Sequence, residues 1–137
     1  MATRSLIIID LDNTVTSQYC HWNGGLNNNG KMLSRHYTSK NKIKKLRALG
    51  DISFLEKNCT KPKGHTFDTP IEGYTVAYRR DRNETGVDSI EHKSIEDAIN
   101  SAGEMIAFIY VYADNKWNVH LNGYLIPLSN KVDYTYI

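Results

Sequence analysis

The feature that most constrains this chain is the pairing of apolar, β-branched runs across short turns of Asp and Asn. Ser5-Leu6-Ile7-Ile8-Ile9 has the composition of a strand. Asp12-Asn13 supplies a turn, and residues 15–22 return as a second strand, making a hairpin. Residues 105–112 are the most β-like run, and residues 117–121 pair back across Asp114-Asn115-Lys116. Residues 74–78, which alternate Tyr and Val, and the weaker run 87–93 read as two further strands.

Helices fit between these runs. Met32, Leu33, His36 and Tyr37 share one helical face, which predicts a short helix over 31–37. A second helix runs over 40–49, with Ser39 as its cap, Ile43, Leu46 and Leu49 as its apolar stripe and Gly50 as its stop. Ser94 caps a third, with Glu96 and Asp97 in the first turn, Ile95, Ala98 and Ile99 inward, and an end near Gly103. From residue 51 to 70 the pattern dissolves into a polar loop too long for a tight turn. The tail over 122–137 has apolar and aromatic residues without a clear period and could dock on a partner subunit. The chain of 137 residues has one modest core, with no repeat or linker to divide it. The expected fold is α+β: a mostly antiparallel β-sheet with two or three short helices, segregated to one face, in a single domain over 1–137.

An apolar share of 40 % with 23 % charged residues excludes a disordered chain. The formal net charge of +2 does not mark a nucleic-acid binder. The distribution says more. No carboxylate lies between Asp12 and Asp51, whereas Lys31, Arg35, Lys40, Lys42, Lys44, Lys45 and Arg47 all do. The block is either a solvated helix face or one wall of a site for a phosphorylated ligand. A basic nucleic-acid-binding module is a third reading of it, without any recognisable motif of that kind. Cys20 and Cys59 belong to no Cys-x-x-Cys, and no His-x-x-x-His accompanies them, so both read as reduced thiols and no metal is expected. His36, His65, His92 and His120 read as structural or surface residues. The apolar run before Asp10 is too short for a signal peptide, and no run is long enough to span a membrane, so a soluble, intracellular protein is expected.

Two stretches carry recognition chemistry. The loop Asn23-Gly24-Gly25-Leu26-Asn27-Asn28-Asn29-Gly30 tolerates positive φ and offers backbone amides. Set before a helix, it can hold an anion or can be an ordinary flexible connection. Tyr78, Arg79, Arg80, Asp81, Arg82 and Asn83 place guanidiniums for phosphates, an aromatic for a base, and Asp and Asn for hydroxyls at a strand end. On a strand, Arg80 and Arg82 share a face with Tyr78, while Arg79 and Asp81 point the other way. The same residues could instead be an exposed edge cluster or an internal Arg–Asp pair. His21 and Trp22, with Arg35 and the amides of Gly24 and Gly25, are a second candidate site, although a Trp in that place also suits a core.

An enzyme motif competes with these. Ile7-Ile8-Ile9-Asp10-Leu11-Asp12-Asn13-Thr14 resembles the first motif of the haloacid-dehalogenase phosphatases, an apolar strand ending in Asp-x-Asp-x-Thr. In that family the first Asp accepts the phosphoryl group, the second is the general acid, and magnesium lies between carboxylates. Here the next segment is a returning strand rather than a crossover helix, and Asp114 offers one carboxylate where a pair is expected. Asp10 and Asp12 therefore read as a hairpin-turn pair, with a magnesium-dependent phosphatase as the alternative.

Taken whole, the sequence is similar to a group of small phage proteins. They are marked by Tyr19-Cys20-His21-Trp22-Asn23-Gly24, then Leu49-Gly50-Asp51-Ile52-Ser53-Phe54-Leu55, then Arg79-Arg80-Asp81-Arg82-Asn83-Glu84. The likeness spans residues 5–120 and resembles the Thoeris anti-defence family; Asn23 and Arg79 stand where its pattern more often has Asp and His. The resemblance implies a non-catalytic sponge in the cytoplasm of the infected bacterial host. Such a protein sequesters cyclic ADP-ribose isomers made by TIR-domain defence enzymes, without cofactor, membrane or DNA. It also implies a homo-oligomer, dimer or hexamer, in which some members hold cyclic oligonucleotides at a separate site between subunits.

Overall fold

The computed structural model describes residues 2–129. In chain order its elements are β1 (Arg4–Leu11), β2 (Thr14–Cys20), α1 (Lys31–His36), α2 (Lys40–Leu49), β3 (Ile52–Phe54) and β4 (Val76–Ala77). They continue with α3 (Tyr78–Arg82), β5 (Ile90–His92), α4 (Ile95–Asn100), β6 (Ile106–Ala113), β7 (Lys116–Leu121) and β8 (Tyr124–Pro127). A π-type turn, Leu26–Gly30, leads into α1.

Two-residue hairpins build the sheet. Asp12 and Asn13 (φ 54° and 60°), Asp114 and Asn115 (51° and 65°), and Asn122 and Gly123 (52° and 84°) all turn through positive φ. This is the type I′ geometry, whose twist matches that of the strands it joins. The first two turns are those expected from the sequence. The third creates β8 inside the tail that had shown no period, and residues 130–137 of that tail lie outside the described residues.

β1 is the centre. It pairs antiparallel with β2, Ser5 facing Cys20 and Leu11 facing Thr14, and parallel with β6, Ile7 facing Tyr110 and Ile9 facing Tyr112. The sheet runs β4-β3-β2-β1-β6-β7-β8, with β5 also against β2. Along its outer edge β2 meets β5 at Val15–His92 and then, in parallel, β3 at Cys20–Ile52. The sheet is thus mostly antiparallel with two parallel joints.

The helices are not on one face, as the element order had suggested. Ile7, Ile9 and Leu11 face a core shared with Leu33 of α1 and Ile43 and Leu46 of α2. Leu6 and Ile8 face a second core, under Ala98 of α4 and beside Val111. Leu6-Ile7-Ile8-Ile9 is apolar on both sides of the pleat, so neither face can be left to water. Each such side chain contributes about 1.5–3 kcal/mol when buried. Four α-helices, rather than two or three, lie among the described residues.

α2 has the bounds its sequence signals predict: Ser39 Oγ accepts the Lys42 amide at 3.2 Å, and Gly50 follows at φ 72°. A Cβ on Gly50 would run into the Val87 carbonyl, so only glycine fits this stop. The strand expected over 74–78 shrinks to Val76–Ala77, and the Arg-rich box after it is helical. The cause is Asp81, whose Oδ2 reaches back to accept the Ala77 amide at 2.8 Å and closes the helix start.

Candidate functional site

The Asn-rich loop is a plate rather than a flexible connection. The Gly24 amide donates to the Thr3 carbonyl at 2.9 Å, the Asn29 amide to Asn23 at 3.1 Å and the Gly30 amide to Gly25 at 3.3 Å. Of the two amides expected to be open to an anion, those of Gly24 and Gly25, that of Gly24 is thus used within the chain. Of the loop residues only Asn23 takes a positive φ, at 60°. Gly24 is required for closeness instead: a Cβ there would stand 2.7 Å from the Thr3 oxygen. Asn29, only 1 % exposed, pins the plate by donating to Ser5 Oγ at 3.2 Å and to Cys20 Sγ at 3.3 Å. Burial pushes the Cys20 thiol up to about 11, so it stays protonated and inert.

Between this plate and α1 lies a cleft of about 210 Å³. Asn23, Asn27 and Asn28 line one side, Lys31, Arg35 and His36 the other, and Leu55 and Glu56 close it. Lys31 and Arg35 stand one helical turn apart, where like charges repel, and an anion between them would relieve that repulsion. Partial burial, then the positive charges of Lys42, Lys57 and Arg35, hold the His36 imidazole below its ordinary pKa. Burial, then Glu72, raises the Glu56 carboxyl against the pull of Lys57.

A second surface is aromatic. His21 and Trp22 meet edge to face with ring centres 4.7 Å apart, and the Tyr19 hydroxyl bonds His21 Nδ1 at 2.6 Å. Trp22 is 43 % exposed, so it is not a core residue. Beyond Tyr19 stands Tyr78, whose phenol is raised by burial despite a hydrogen bond with Ser53. Tyr78 packs on Phe67 at 5.6 Å, and the Arg82 guanidinium lies 4.3 Å from the Phe67 ring centre and 5.0 Å from that of Tyr78. Such rings and a guanidinium form a stacking surface for a base.

The remaining box residues face inward or sideways. Arg80 grips Asp81 with two bonds, Nε to Oδ1 at 2.9 Å and Nη2 to Oδ2 at 3.0 Å, and also donates to the carbonyls of Cys59 and Thr75. The Asp81 side chain is wholly buried, with His65 Nε2 at 3.3 Å. Burial alone would raise the Asp81 carboxyl, but Arg80, the Ala77 amide and His65 together outweigh it and hold it below its usual range. Arg79 turns to Asp88 at 2.9 Å and to the Ala48 carbonyl, and Asn83 ends α3 at φ 57°. Since the box is helical, the alternation of faces expected for a strand is replaced: Tyr78 and Arg82 share the aromatic surface, and Arg80 and Asp81 form an internal pair.

Asp10 lies near the end of β1 and Asp12 is the first residue of the type I′ turn, where it pairs with Lys44 at 3.1 Å. Arg47 ties this hairpin to α2 through the carbonyls of Ile9, Leu11 and Thr14 at 3.0, 3.3 and 2.9 Å. Because β1 and β6 end side by side, Asp10 and Asp12 open on one cleft of about 340 Å³ with Asp114 and Lys40. Among the described residues no three His, Cys, Asp or Glu side chains are grouped to hold a metal ion. Ser17 Oγ, His92 and Asp97 form a nucleophile–base–acid chain, at 2.7 and 3.2 Å. Ser17, however, is only 4 % exposed beneath α4, where no acyl substrate can approach, so the chain serves to latch β5 and α4 to the sheet.

Sequence reasoning named Asn27 and Asn28 only as part of the loop, and did not single out His36, Glu56 or Phe67. The carboxylate-free block pointed to Lys31, whereas nothing local in the sequence marks Phe67. No helix among the described residues is long and apolar enough to cross a membrane. Comparison with family models, curated proteins and solved structures finds no match to this chain.

Proposed function

We propose that this chain binds a cyclic nucleotide signal of the cyclic ADP-ribose class and holds it uncleaved, as an anti-defence sponge in the cytoplasm of a phage-infected bacterium. The observation that carries this reading is the cleft in which Lys31, Arg35 and His36 face Asn23, Asn27 and Asn28. Cations take the pyrophosphate and carboxamides take the ribose hydroxyls. The base stacks on the aromatic surface, which begins at Trp22, next in the chain to Asn23. A cleft of about 210 Å³ is smaller than the ~300–1,000 Å³ that encloses a ligand of this size. A second copy of the chain closes it, so the binder is a homo-oligomer, dimer or hexamer. Nanomolar sequestration needs about 12 kcal/mol, which a ligand enclosed between subunits can supply.

The test is to incubate the protein with a cyclic ADP-ribose isomer, remove free ligand, denature by heat and identify what is released. Intact ligand in stoichiometric amount supports the sponge; a cyclic oligonucleotide in the same assay serves as the competing ligand. One observation favours a second reading, a magnesium-dependent phosphatase: Asp10, Asp12, Asp114 and Lys40 share a cleft at the ends of adjacent parallel strands. A cleaved product that vanishes in Asp10→Asn would select it, and salt-sensitive retention of DNA without nucleotide uptake would select neither.

A further inference from the structure

We propose that His36 contacts the phosphates of the bound ligand and takes up a proton as the ligand binds, so that capture tightens as pH falls. The inference rests on the cleft being the nucleotide site. His36 ends α1, is exposed, and lines the cleft beside Lys31 and Arg35 of the same helix. α2 brings Lys42 toward it, and the segment after β3 brings Lys57 and Glu56. Four cations and one carboxylate therefore surround the ring. Lys42 is already engaged, its amine bonded to the Lys57 carbonyl and 4.5 Å over the Tyr37 ring.

In the free protein, partial burial and then the charges of Lys42, Lys57 and Arg35 disfavour a charged imidazole. A bound pyrophosphate diester places two negative charges in the same space, and those charges do not titrate near neutral pH. The local field changes sign, the ring becomes imidazolium, and both of its nitrogens become donors. The bound pKa then lies above the free one. Between the two values one proton enters with the ligand, and affinity rises by up to about tenfold per pH unit on acidification. Above the bound value the affinity is flat. Glu56, whose carboxyl is raised by burial and by Glu72, is the other titrating group of the cleft, and its protonation would also favour an anion.

Calorimetric titration of cyclic ADP-ribose into the full chain, at several pH values and in two buffers of different ionisation enthalpy, tests this. The expected results are proton uptake approaching one per site and a Kd that falls with pH. In the double variant His36→Gln/Glu56→Gln the binding persists with a flat profile and no proton uptake, whereas Glu56→Gln alone keeps the pH dependence and the proton uptake. The His36 ring resonances should also titrate at higher pH with ligand than without. Binding with no proton uptake in the unmodified protein, or a pH dependence undiminished by adding His36→Gln to Glu56→Gln, overturns the proposal while leaving the nucleotide site intact. Blank isotherms at every pH overturn the nucleotide site itself, and this inference with it.

Discussion

The two basic segments of this protein sit on helices of similar length and use their charge in opposite directions. On α3, Arg80 meets a buried carboxylate and two backbone carbonyls, and Arg79 and Arg82 each have an acidic neighbour. On α1, Lys31, Arg35 and His36 face a cleft lined by carboxamides with a single carboxylate. What separates them is not the count of cations but the supply of acceptors from the same chain. Asp81, Glu84 and Asp88 lie close to the first set, and no acid lies between Asp12 and Asp51 around the second. A guanidinium held against a buried carboxylate stabilises the fold; cations gathered along a cleft lined mainly by carboxamides suit an anionic ligand.

The strongest way to break this contrast is Asp81→Ala, which removes a wholly buried carboxylate and leaves the partly buried Arg80 guanidinium, the Ala77 amide and His65 without it. We expect a loss of about 3–5 kcal/mol, read by urea unfolding. A variant that unfolds within about 1 kcal/mol of the parent would show that α3 is not a structural clamp. The same pair sets an acid limit. The folded pKa of Asp81 is depressed, so its contribution is complete above the unfolded value of about 4 and fades as pH falls through the lower folded value.

On the other side, Lys31→Ala combined with Arg35→Ala should weaken nucleotide capture by about 1–3 kcal/mol while stability stays within about 0.5 kcal/mol. Unchanged capture would move the site away from α1. Asn29→Ala joins the two regions, because it unpins the plate that forms the cleft. Thermal unfolding should show about 1–3 kcal/mol lost, with capture reduced alongside. The smallest effect is expected for Arg82→Ala. Its exposed pair with Glu84 contributes less than about 1 kcal/mol to stability, and a larger loss would place Arg82 with the inward-facing set.

Legibility in the sequence followed how locally each element is determined. α2 was readable to its ends because Ser39, the apolar stripe and Gly50 are all signals within the helix itself. The first two hairpins were readable from Asp-Asn pairs between apolar runs. α3 was misread because Tyr74 to Tyr78 alternate like a strand, and only the buried bond from Asp81 to the Ala77 amide shows where the strand stops. β3, three residues long, exists because β2 and β4 flank it, which no periodicity reveals. The Asn-rich loop and Arg35, both singled out in the sequence, line one cleft in the fold. The Gly24, Asn28, Asn29 and Gly30 amides are bonded within the chain, and the carboxamides of Asn23, Asn27 and Asn28 line the cleft. His36 was set aside because its neighbours Lys57 and Glu56 arrive from a distant segment.

The parallel union of β1 with β6 has a consequence for how the molecule is made. Its first strand and its sixth are separated by roughly a hundred residues, a span whose closure slows folding. During synthesis the β1–β2 hairpin can form as soon as it leaves the ribosome, yet the isoleucine-rich flank of β1 stays unpaired until residues 106–113 emerge. An open flank of that kind attracts other nascent chains, so chaperone protection should matter most in that interval.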